Sequence, residues 1–85
     1  MKRSEMDKLS HEIAVLERKV AAYEKVRRAI NELGERFKDD PYCLEALLSV
    51  DRTIFNQTLV IYRGLAKLRE KMRRLQLEAT GGPPR

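Results

Sequence analysis

Two long α-helices folded back on each other, with surplus apolar surface that draws copies together into a four-helix bundle, are what this sequence predicts. Three observations carry that all-α reading. In 85 residues no Gly precedes Gly34 and no Pro precedes Pro41, so long stretches hold no helix breaker. Apolar residues recur at alternating three- and four-residue steps, the seam of a left-handed coiled coil. The composition, 42% hydrophobic and 36% charged with 6% aromatic and no Trp, suits helices better than a sandwich or barrel. The length leaves room for one small domain, 1–79, and excludes a multidomain enzyme.

Helix one is expected over 4–37, with Ser4 as the candidate N-cap and Glu5 and Asp7 in the first turn, where the helix dipole favours acids. Met6, Leu9, Ile13, Leu16, Val20 and Tyr23 form its seam. Val26, Ile30, Leu33 and Phe37 then resume the alternation after a step of three where four was due, a stammer that should overwind the pair. The segment 38–41 carries turn chemistry. Asp40 is placed to cap a second helix and Pro41 to occupy its first position, where a missing N–H costs nothing.

Helix two is expected over 41–79. Leu44, Leu47, Asp51, Ile54, Thr58, Ile61, Leu65, Leu68, Met72, Leu75 and Ala79 keep the heptad throughout, interrupted only by Asp51 and Thr58. A carboxylate in such a seam needs a partner. Arg52, Arg27, Arg28 or a residue of another subunit can supply one for Asp51, which would set register as polar core residues do. The residues 80–85, with two Gly and two Pro, read as a disordered tail.

A second stripe decides how many neighbours helix two needs. Leu48, Phe55 and Tyr62 recur every seven residues beside the seam, and Leu59 and Val60 widen the apolar surface further. A connection of about four residues makes the two helices antiparallel, and one hairpin cannot cover that stripe. A homodimeric or larger bundle follows, with Leu48, Phe55, Leu59 and Tyr62 at the subunit contact.

Catalytic constellations are nearly absent. His11 and Cys43 are the only residues of their kinds and fall towards opposite ends of the hairpin, so a Cys/His nucleophile pair within one chain is not expected. His11 reads as a solvated side chain. Glu12, Glu17, Glu32 and Glu35 lie among arginines and lysines, where surface pairing accounts for them. There is no Gly-rich phosphate loop, and neither an enzyme, a cofactor nor a metal site is expected. Cys43 divides between two roles. Near a helix start the dipole can activate its thiol, whereas beside a seam it is an inert small hydrophobe.

The net charge is +5, from 18 Lys+Arg against 13 Asp+Glu, so acidic partners are permitted. Arg63, Lys67, Arg69, Lys71, Arg73 and Arg74 crowd the end of helix two, where the hairpin sets them beside Glu5, Asp7, Glu12 and Glu17. Arg18, Lys19, Lys25, Arg27 and Arg28 on helix one are less compensated and are the candidate contacts to nucleic-acid phosphates. With one cysteine and no apolar run after the basic amino end, the expected setting is intracellular, without a signal peptide or membrane span.

The stretch Asp40-Pro41-Tyr42-Cys43-Leu44-Glu45-Ala46-Leu47, preceded by Val26, Ile30, Leu33 and Phe37, resembles the first helix junction of the copper- and formaldehyde-sensing family of small all-helical bacterial repressors. The resemblance covers about half the chain. It implies four-helix-bundle dimers that pair into tetramers and bind DNA through basic helix surfaces, with Cys43 as the one sensing residue carried over. The family's further ligands, a His and a Cys, would fall on Leu68 and Met72, and its Gly-Gln pair on Arg28 and Ala29, so the metal-binding set is not retained. Two functions are expected in order: an oligomerising interaction module such as an adaptor, scaffold or chaperone-like protein, then a DNA-binding regulator. A small helical enzyme stands third.

Overall fold

The computed structural model describes residues 2–79 as two α-helices and a short turn. The tail expected at 80–85 lies outside the described residues. Helix α1 runs Lys2–Arg36 and helix α2 Pro41–Ala79, 35 and 39 residues long, and they pack antiparallel into a rod of 62 × 24 × 14 Å.

Both helices begin and end close to the expected places, with one correction. Helix α1 starts at Lys2, so Ser4 lies inside its first turn and does not cap it. Nothing in Lys2-Arg3 breaks a helix, so the helix already includes them. At the far end the last helical residue is Arg36, although the Phe37 N–H still donates to the Leu33 carbonyl at 3.0 Å. The turn is closed by the Asp40 N–H on the Phe37 carbonyl at 2.9 Å. Asp40 caps α2 as expected: its Oδ1 accepts from the backbone N–H of Tyr42 and of Cys43, each at 3.1 Å.

The seam of α2 runs in the expected register from Leu44 to Leu75, and Ala79, expected to continue it, is exposed at the helix end. The seam of α1 does not contain the expected stammer. Leu9, Ile13, Leu16, Val20 and Tyr23 are followed by Arg27, Ile30 and Gly34, all buried or half-buried, so the alternation of four and three continues unbroken. Val26, Leu33 and Phe37, expected in the seam, are exposed. Two residues that no apolar pattern would select occupy the seam instead. Arg27 meets Asp51, and Gly34 faces Leu44, whose side chain a methyl group at position 34 would meet at 4.0 Å, an ordinary contact.

The hidden interior is small. Leu9, Ile30, Leu65 and Leu75 are its buried hydrophobic residues, joined by Thr58, whose hydroxyl donates to the Ile54 carbonyl at 2.8 Å. That back-bond satisfies the hydroxyl within its own helix, so Thr58 occupies a core position without needing a partner from α1. Glycine at position 64 leaves room to spare: a methyl group there would meet the Leu16 side chain at 3.6 Å, an ordinary contact. Gly64→Ala should therefore raise stability by about 0.5–1 kcal/mol through helix propensity, read as a higher urea midpoint at unchanged slope.

Candidate interaction surface

The two sides of the rod differ in what they leave uncovered. On one side, α2 presents Leu48, Phe55, Leu59 and Tyr62 at 63, 41, 38 and 46% exposure. On the opposite side, α1 presents Val15, Val26 and Leu33, while Phe37, also exposed, lies in the turn beyond its end. The contacts across the seam fix these sides. Arg27 reaches over Phe55 on the first, and Val26 borders a shallow depression with Tyr23, Ile54 and Gln57 on the second. The α2 flank is the expected subunit contact. A seam drawn through Val26 and Leu33 conceals the α1 flank, and carrying the heptad through Arg27 and Gly34 is the signal that reveals it.

Size supports the view that these flanks are unfinished. The radius of gyration is 19.0 Å, whereas a compact chain of this length has one of about 12 Å. The accessible surface is 7038 Å². A compact monomer of this mass exposes about 5,200 Å², so the surplus exceeds the roughly 800 Å² that one partner in a stable complex covers.

At the border of the α2 flank sits a charged layer. Arg27 donates from Nε to Asp51 Oδ1 at 3.0 Å and from Nη2 to Oδ2 at 3.3 Å, a two-pronged contact with both side chains largely covered. The guanidinium carbon also lies 4.9 Å from the Phe55 ring centre. Hydrogen bonding to Asp51 raises the Arg27 pKa further above its already high value. Among the four partners weighed for Asp51, Arg27 is the one the fold supplies. Two of the five Arg27 N–H donors are thereby used inside the hairpin.

The remaining candidates, Arg18, Lys19, Lys25 and Arg28, are exposed, as is His11. In the other basic cluster, Arg69 donates to Glu17 across the helices at 2.8 Å, as the antiparallel arrangement leads one to expect. Arg73 and Arg74 turn to Glu70 of their own helix instead, which lowers the Glu70 pKa and raises that of Arg73. These are solvated pairs that shape surface charge more than stability.

Cys43 is half-buried at the start of α2, and its Sγ donates to Asp40 Oδ2 at 3.1 Å. The carboxylate accepting that bond pushes the thiol pKa up, with burial adding to the shift. The same bond, with the capping N–H groups, holds the Asp40 carboxyl below its usual range. The cap's contribution is thus present above the ordinary carboxylate pKa of about 3.9 and is lost as pH falls through the lower folded value. A thiol so held is a poor nucleophile at neutral pH. Cys43 should alkylate with iodoacetamide more slowly than a free thiol at pH 8, and Asp40→Asn should speed it; a rate indifferent to that substitution would show that the carboxylate does not control it.

Among the described residues no group of His, Cys, Asp or Glu is arranged to hold a metal ion, and no helix is long and apolar enough to cross a membrane. Leu68 and Met72, where the repressor family's His and Cys ligands would fall, are half-buried seam residues. The fold and surface define an all-helical hairpin with two uncovered flanks. No protein-family model matches the chain, and no curated protein or solved structure matches it. The likeness of its helix junction to those repressors rests on the residues of that junction.

Proposed function

We propose that this protein is a non-enzymatic assembly module, whose hairpins associate into a four-helix bundle and present the remaining surface to a macromolecular partner as an adaptor, scaffold or chaperone-like protein. The observation that carries this reading is the α2 flank. Phe55 and Tyr62 stay in water while the hairpin hides only a few aliphatic side chains. Burial of apolar area is the dominant favourable term in folding and association, and a rod so thin leaves much of that term unused.

Light scattering at micromolar concentration tests the reading, with a mass of at least twice the 9.9 kDa chain expected. A well-folded monomer at that concentration would overturn it. A labelled DNA duplex at low salt serves in the same experiment. A salt-dependent shift that disappears in Lys25→Glu with Arg28→Glu, while assembly persists, would move the function to the regulator of DNA named second.

A further inference from the structure

We infer that the α2 flank is covered by a second copy of this chain laid antiparallel to the first, with Phe55 beside a two-fold axis. The inference rests on the assembly reading above and specifies its partner and geometry. Leu48, Phe55 and Tyr62 are evenly spaced, so an axis at Phe55 sets Leu48 opposite Tyr62 of the second copy and Phe55 opposite itself. A large ring then meets a smaller aliphatic side chain on each side of the centre, which suits interdigitation.

Charge at the border of the stripe points the same way. Glu45, Arg52, Asn56 and Arg63 are exposed along one edge of α2, adjoining the stripe at about 100° of rotation per residue. The two-fold axis brings Glu45 of each copy within about two residues, or 3 Å, of the level of Arg63 of the other. Neither side chain is in an ion pair among the described residues, so both remain available to each other. The pairing occurs twice by symmetry. A parallel arrangement sets like on like at each heptad step and aligns the helix dipoles unfavourably, without that exchange.

The polar layer next to the axis is compatible with being covered. Arg27 and Asp51 neutralise each other before the second copy arrives, and the guanidinium already rests on the Phe55 ring. Covering a satisfied pair costs far less than covering a lone charge.

Disulfide trapping and charge reversal test the geometry on the full chain. In a Cys43→Ser background, Leu48→Cys chains mixed with Tyr62→Cys chains should yield chiefly the mixed disulfide on oxidation. Dominant homodisulfides would overturn the antiparallel arrangement while leaving α2 as the assembly face. An assembled protein that forms no disulfide at either position would overturn both the inference and the choice of flank, and a monomeric parent chain would overturn the assembly reading itself. Glu45→Arg and Arg63→Glu should each loosen the dimer by about tenfold, and their combination in one chain should restore it to within about threefold. A combined variant as loose as the single ones, with circular dichroism unchanged, would remove the Glu45–Arg63 pairing.

Discussion

Replacing Phe55 and Tyr62 together by glutamate is expected to yield dissociated chains that have lost part of their helix signal. Each substitution removes a ring from the exposed stripe and plants a carboxylate where apolar burial is proposed. Centrally placed aromatic side chains typically cost about 2 kcal/mol or more each when lost from an interface, so the association constant should fall by about a thousandfold or beyond. Helix loss follows because the hairpin alone conceals so few aliphatic side chains. Analytical ultracentrifugation with circular dichroism reads both effects. Val60→Glu is the control: Val60 is exposed but stands about 100° round α2 from Leu59 and about 140° from Phe55, outside the α2 flank, so assembly along that flank should survive it. Assembly unchanged by the double glutamate variant would move the interface elsewhere.

The second large effect is expected at the polar layer. Asp51→Leu leaves the Arg27 guanidinium covered without its carboxylate, and Arg27→Leu leaves the carboxylate without its cation, so each should lower Tm by roughly 10 °C. The pair Arg27→Leu with Asp51→Leu should recover most or all of that loss, since apolar side chains of similar length fill the layer without a desolvation penalty. What the double variant should lose is uniqueness. With the matched charges gone, one heptad shift of α1 against α2 no longer carries a cost, and light scattering should find more than one species. A single species of the parent mass would show that the apolar seam alone sets register.

How much of this was readable beforehand follows from which features are local. The helix junction is local chemistry: Asp40 caps, Pro41 begins, and both do so within a few residues of themselves. The seam of α2 is likewise legible, because nine of its eleven positions from Leu44 to Ala79 are apolar. In α1 the same logic fails after Tyr23. Arg27 takes its seam position from Asp51 on the other helix, and Gly34, which faces Leu44, has no side chain to register in an apolar pattern. A pattern read along one strand of sequence follows Val26 and Leu33 instead, because it has no knowledge of what stands across from them. Ser4 misleads for a simpler reason: a good capping residue marks a helix start only if the chain before it resists winding.

The back-to-back placement of the flanks has a consequence for how large an assembly grows. A rod with one apolar margin is satisfied by a single neighbour, but this rod carries Val15, Val26 and Leu33 on the margin facing away from Phe55 and Tyr62. In the proposed dimer, two copies that meet along α2 would point their α1 margins outward in opposite directions, and the pair would itself be bivalent. Growth of that assembly would proceed by whole pairs, with concentration selecting among even-numbered species.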